Sequence, residues 1–147
     1  MTTAVLSETA ITTSDPPQQT LSTNRDLVFS PSPEFAALVR EVSKLTALEY
    51  NWDFDGGVGV AHAAAQASFE ALRIGVEFGL HAHVMPLGDG SLLAEWHHGD
   101  RLLQIEWSEA GVGEFNVAVS HELQIEGPLP RDASVLFMSL LERSRPL

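Results

Sequence analysis

The clearest metal-binding spacing in the sequence lies between two predicted helices. It comprises Asn51, Asp53 and Asp55 at alternate positions and His62 at the twelfth position of the same segment. In a calcium loop, alternate side chains converge on the ion, and a glycine such as Gly56 makes the sharp turn. His62 cannot supply the bidentate carboxylate that completes a calcium shell. Calcium binding is therefore one of two hypotheses for this segment.

The other hypothesis is an interhelical loop with a structural role. Trp52 would anchor this loop in the core, while Asn51 or Asp53 accepts hydrogen bonds from backbone N–H groups. The glycines at positions 56, 57 and 59 would supply positive φ angles. On this hypothesis the loop connects two helices and holds no metal.

Histidines offer a second metal hypothesis. His81 and His83 face the same way if both lie on a strand, and Glu95 and His97 share a face of the next strand. A site with two histidines and one carboxylate can be drawn from them, and the alternative is a set of ordinary surface histidines. His121 differs, because it falls on the apolar side of an alternating segment. We predict that His121 is buried, neutral and hydrogen-bonded.

Catalysis finds little support in the residue pattern. Ser120 and His121 are neighbours on a predicted strand and point to opposite faces, so they cannot form a nucleophile–base pair. The sequence has no G-x-S-x-G, H-E-x-x-H or phosphate-binding glycine motif, and it has no cysteine. Glu95 and Glu106 could form an acid–base pair across adjacent strands, and the alternative is a solvated sheet face. We therefore predict that the chain is not an enzyme.

Acidic residues are concentrated in the middle of the chain. The net charge is −12, and residues 49–126 hold 13 Asp and Glu against two Arg, a net of −11. Such a block repels nucleic acid and anionic membranes, and it attracts cations or a basic protein surface. The polar face of the predicted sheet carries five of these acids, which are the predicted partner-binding residues: Glu95, Glu106, Glu114, Glu122 and Glu126. The alternative is an acidic surface that serves solubility alone.

The periodicity of apolar residues predicts the elements that position these side chains. Helical spacing covers residues 32–48, 61–78 and about 132–143, with Ser32 and Asp132 as N-caps. Strand-like alternation covers three short segments between residues 83 and 107. It then covers residues 114–126, which form either one long strand or two strands joined by a bulge.

This order of elements predicts an α+β fold in two layers. Two N-terminal helices precede an antiparallel meander of three or four strands, and a C-terminal helix follows it. Residues 1–31 are rich in Thr, Ser, Pro and Gln and are predicted to be a disordered tail. Residues 32–147 form the single domain. The first residues lack the features of a signal peptide, and the apolar run 135–138 is too short to span a membrane.

One stretch of the sequence resembles a known group. The segment Leu48-x-x-Asn51-Trp52-Asp53, the pair Met85-Pro86 and the run from Asp89 to Trp96 occur in this order. They resemble small uncharacterised bacterial proteins whose pattern is Asn-Trp-Asp-Gly-x-Gly-Ala, a helix, a proline and then Asp-Gly followed by Glu-Trp. The resemblance covers about residues 45–120, with Phe54 in place of Gly and Val60 in place of Ala. It implies a helix followed by a small β-meander, and no activity is known for the group.

The sequence thus predicts a cytoplasmic, non-catalytic protein that docks on a basic protein surface and takes no cofactor. Antitoxin-like, immunity-like or inhibitor-like roles, or nucleic-acid mimicry in a bacterial or phage conflict system, fit this chemistry. Such a protein binds neither nucleic acid directly nor membrane, and homodimer formation stays open. The alternative is a metal-binding protein or small metal-dependent hydrolase that uses residues 51–62 or the group of His81, His83 and His97.

Overall fold

The computed structural model describes residues 31–142. The predicted tail, residues 1–31, lies outside this part of the chain apart from Pro31. The described elements are, in order, α1 (Pro33–Thr46), α2 (His62–Glu77), β1 (Ala82–Pro86), β2 (Leu92–His98), β3 (Arg101–Trp107), β4 (Gly113–Val119), β5 (Glu122–Pro128) and α3 (Ser134–Leu141). The strands form one antiparallel sheet in the order β1-β2-β3-β4-β5.

The predicted α+β class with an antiparallel sheet is confirmed. The predicted count of three or four strands is too low, because residues 31–142 hold five strands; of the three helices in this part of the chain, two precede the sheet and one follows it. None of the helices in this part of the chain is long and apolar enough to cross a membrane.

The segment 114–126 explains part of the difference in strand count. It forms two antiparallel strands, β4 and β5, joined by a turn at Ser120 and His121. These residues have φ angles of 52° and 71°, and positive φ at both central residues is what a type I′ hairpin turn requires. His121 is exposed in this turn, so the prediction that it is buried on the apolar side is wrong.

A bulge in the β4–β5 pairing reverses the side of the sheet that the residues of β5 beyond it face. The register shifts between Val117 and Ala118, so that Ile125 pairs with Val117 and Leu123 pairs with Ala118. An extra residue in one strand reverses the side-chain alternation beyond it. Even spacing along β5 therefore does not place its glutamates on one face.

The core lies between one face of the sheet and the helices. Its largest fully buried side chains are Trp96, Trp107 and Phe137. α1 packs on α2 and β1, α2 packs on β2 and β3, and α3 packs on α2 and β3. The buried side of α2 is narrow because it consists mainly of Ala, Ser and Gly, which lets the sheet approach closely. The opposite face of the sheet is left for solvent.

Candidate functional site

The sheet face turned away from the helices, called the outer face below, is organised by strand register. Paired residues on neighbouring strands point to the same side of a sheet. One row across the outer face consists of Met85, Leu93, Glu106, Glu114 and Pro128. The adjacent row consists of His83, Glu95, Gln104, Asn116 and Glu126.

The centre of the outer face carries two glutamates in direct opposition. Glu106 of β3 and Glu114 of β4 are register partners, and both are exposed. Like charges placed directly opposite each other destabilise a sheet. The ion pairs found within residues 31–142 involve Arg73 with Glu77 and His97 with Glu95, so neither Glu106 nor Glu114 has a basic partner in this part of the chain. Within residues 31–142, no basic side chain offsets the repulsion between Glu106 and Glu114.

A depression of about 440 Å³ lies over this pair. Its polar lining comes from three carboxylates and two amides: Glu106, Glu114, Glu126, Gln104 and Asn116. Leu87 and Leu93 supply apolar side chains, and Phe115 also borders the depression. The site therefore combines negative charge and hydrogen-bonding amides with an apolar lining.

Two of the five glutamates predicted to bind a partner have different surroundings. Glu95 lies on the outer face, but its carboxylate accepts a hydrogen bond from the Gln104 amide and lies 3.8 Å from His97 Nε2. Glu122 pairs with Val119, which lies on the helix side of the sheet. The prediction that Glu122 shares a face with the other four is therefore wrong, because the two-residue turn at Ser120 and His121 places it opposite Val119.

The sequence predicted only some of the residues that line the depression. Gln104 and Asn116 stand at polar positions of alternating strands, so their side of the sheet could be predicted, but nothing marked them as part of a site. Leu87 follows the last residue of β1, and nothing in the sequence pattern predicted that it lines a depression. Phe115 also borders the depression, but it is an apolar position whose register partner is the buried Ile105, so its side chain is on the helix side of the sheet.

The loop between α1 and α2 is organised by its own polar side chains. Asn51 Oδ1 accepts a hydrogen bond from the N–H of Gly56 at 2.7 Å. Asp53 Oδ1 accepts two, from Asp55 at 2.9 Å and from Gly57 at 2.8 Å. These bonds favour the charged carboxylate, and the Asp55 bond, followed by the Gly57 bond, lowers the pKa of Asp53 below its ordinary value. The interhelical-loop hypothesis is confirmed for these two side chains.

Trp52 and the calcium ligands differ from their predicted positions. Trp52 is half-buried, and its indole donates a hydrogen bond to the Val58 carbonyl at 2.9 Å instead of entering the core. Among residues 31–142, no group of three or more His, Asp or Glu side chains is arranged to hold a metal ion. The structure therefore does not assemble the hypothetical calcium ligands, Asn51, Asp53, Asp55 and His62, into a shell.

Phe54 in this loop has an unfavourable backbone conformation. Its φ is 61° and 92% of its surface is exposed, so little packing offsets the left-handed geometry that favours glycine. We expect Phe54→Gly to raise the free energy of unfolding by about 1 kcal/mol, measured by urea denaturation. Phe54→Ala is the control, because it removes the ring but keeps the Cβ that causes the strain. Equal effects of the two substitutions would contradict a backbone origin.

The predicted histidine group is brought together at one corner of the outer face. The ring centroids of His81 and His83 lie 5.2 Å apart, and those of His83 and His97 lie 6.2 Å apart. His81 precedes β1, while the other two lie on β1 and β2. All three side chains are exposed.

In comparisons with known proteins, no family model, curated protein or solved structure matches the chain. The function proposed for it consequently rests on the chemistry of the outer face.

Proposed function

We propose that the chain is a non-catalytic binding protein whose outer face docks on a basic protein surface. The observation that supports this proposal is the opposed pair of Glu106 and Glu114, which has no basic partner within residues 31–142 and borders the depression. Such a pair costs stability in the free protein. A partner's positive charge would remove this repulsion on binding, which gives the opposed glutamates a function that offsets their cost in stability.

The lining of the depression fits a long cationic side chain. Lysine and arginine carry an apolar stem and a charged end. Leu87 and Leu93 can contact the stem, while the carboxylates of Glu106 and Glu114 accept hydrogen bonds from the end. Arginine suits the site best, because its planar guanidinium binds two acceptors at once and is less strongly hydrated than an ammonium group.

The same charges disfavour other partners. Nucleic acid and anionic membranes would be repelled by the carboxylates. A homodimer formed through this face would oppose Glu106 and Glu114 with the same residues of a second copy. A different, basic protein therefore suits the face best, and antitoxin-like, immunity-like or inhibitor-like roles, or mimicry of nucleic acid toward a nucleic-acid-binding protein, are roles of this kind.

Salt dependence tests the proposal. Charge complementarity mainly accelerates association and is screened when the ionic strength rises. The immobilised full chain should capture a basic protein from a lysate of its host at low salt and lose most of it at roughly 0.5 M salt, where the Debye length falls to a few ångströms. Capture that is unchanged at the higher salt concentration would contradict an electrostatic interface.

A further inference from the structure

The corner of the outer face formed by β1 and β2 carries a compact group of four side chains. His83 is the register partner of Glu95. His81 immediately precedes the first pair of this ladder, Ala82 with Trp96, and its ring centroid lies 5.2 Å from that of His83. The four residues therefore lie together at one end of two adjacent strands, where His83 is paired with Glu95 and its ring is near those of both His81 and His97.

The spacing of the imidazole rings is close to that of a metal site. With Zn–N bonds of about 2.0–2.1 Å and a tetrahedral angle, the centres of two imidazoles on one zinc lie roughly 5 Å apart. The ring centroids of His81 and His83 are 5.2 Å apart, and His97 lies only a little farther from His83, at 6.2 Å. We propose that His81, His83 and His97 bind a zinc ion or another late first-row divalent cation, with Glu95 as the nearby negative charge.

This site is not formed in the structure, where no group of three His, Asp or Glu side chains within residues 31–142 is arranged to hold a metal ion, so its formation requires the side chains to rotate. As they stand, the rings do not converge on one point, and His83 meets His81 and His97 edge to face. All three residues are exposed, the His97 side chain by 57%, so little packing opposes rotation of the rings. The backbone is harder to move than a side chain, and the pairing of β1 with β2 already holds these residues near one another.

The surroundings favour a cation. Glu95 is fixed by the hydrogen bond from Gln104, and its side chain is only 20% exposed. Its other carboxylate oxygen lies 3.8 Å from His97 Nε2, close enough to attract a cation bound there or to become a ligand after a small movement. Imidazole nitrogen and carboxylate oxygen are both ligands that zinc accepts.

This site is separate from the proposed partner site. Its proposed ligands include none of Glu106, Glu114 and Glu126, although Gln104, which binds Glu95, also lines the depression. Substitutions of the histidines therefore test zinc binding without changing the carboxylates proposed to bind the partner.

Calorimetric titration of the full chain with zinc chloride at neutral pH tests the proposal. We expect one saturable equivalent, with the affinity reduced at least about tenfold in His83→Gln and in His97→Gln, since even loss of an outer-sphere partner has an effect of that size. His98→Gln and His121→Gln are matched controls and should leave the affinity unchanged. His98 follows His97 but points to the helix side, and His121 lies in the β4–β5 turn.

Two results would overturn the proposal. One is the absence of binding heat in the unsubstituted chain, and the other is an affinity that His83→Gln or His97→Gln leaves within twofold or that the control substitutions reduce equally. NMR of the unsubstituted chain gives an independent readout that no folding defect can imitate. Zinc should shift the imidazole signals of His81, His83 and His97, and shifts confined to other histidines would refute the site.

Discussion

Replacing Gly75 with alanine is expected to lower the free energy of unfolding by about 1–3 kcal/mol, as overpacking of a core does. Gly75 lies in α2, where the same substitution would ordinarily stabilise an exposed helix by about 1 kcal/mol. At this position, however, an added Cβ would lie 2.6 Å from Trp96 Nε1 and 3.2 Å from Phe137 Cε1. Both aromatic side chains are fully buried, so neither can move away without disturbing the core.

A double-substitution cycle isolates this contact. Trp96→Phe removes the indole nitrogen that the new methyl group would meet, so Gly75→Ala should cost clearly less in that background than in the unsubstituted chain. Urea denaturation of the four proteins gives the coupling free energy. Stabilisation by Gly75→Ala, or an equal cost in both backgrounds, would show that α2 does not approach Trp96 as closely as the structure indicates. The indole N–H is also buried without a hydrogen-bond partner, which fits a contact governed by close packing.

Local pattern was sufficient to predict the helices and the fold class. Helical spacing predicted residues 32–48 and 61–78, and the structure has α1 at Pro33–Thr46 and α2 at His62–Glu77. The differences are at helix ends, where the last apolar residue need not be the last helical one. Alternation also predicted the outward direction of Glu106 and Glu114, because an extended strand alternates whatever its neighbours are.

Register could not be predicted in the same way. The apolar alternation continues through Ser120 and His121, although the chain reverses there with positive φ at both residues. Ser120 and His121 are not the Asn and Gly residues that mark such turns most strongly. The periodicity of apolar residues therefore gave no sign that β4 and β5 are separate strands joined by a tight turn. That turn places Glu122 opposite Val119 on the helix side, and the bulge between the Val117 and Ala118 pairings then returns Glu126 to the outer face. The opposition of Glu106 and Glu114, on which the proposed function rests, is also a fact of register and became visible only in the folded chain.

Reversing charge at the centre of the outer face is expected to have the largest effect on binding. Glu106→Lys/Glu114→Lys replaces two opposed negative charges by two opposed positive ones, so the cross-strand repulsion, and with it the stability, should change little. Toward a basic partner, the same change turns attraction into repulsion, which costs several kcal/mol at an interface. We expect a loss of at least about 2 kcal/mol, roughly thirtyfold in Kd.

A matched control separates the outer face from net charge. Glu70→Lys/Glu122→Lys makes the same change in overall charge, from −12 to −8 in each case since two reversals add four charges. Glu70 is exposed on α2 and Glu122 lies on the helix side of β5, so neither side chain reaches the depression. Single Glu114→Lys adds a second comparison, because an opposite-charge pair with Glu106 should stabilise the free protein by about 0.2–1 kcal/mol while binding is lost.

The affinity of the captured basic protein for these variants, measured at low salt by surface plasmon resonance, tests the central claim most directly. The outer-face proposal predicts that Glu106→Lys/Glu114→Lys loses binding at least thirtyfold, while Glu70→Lys/Glu122→Lys stays within a few-fold of the unsubstituted chain. Equal losses in both double variants would show that overall charge, and not the outer face, determines binding. Undiminished binding of both would show that the partner contacts another surface of the protein.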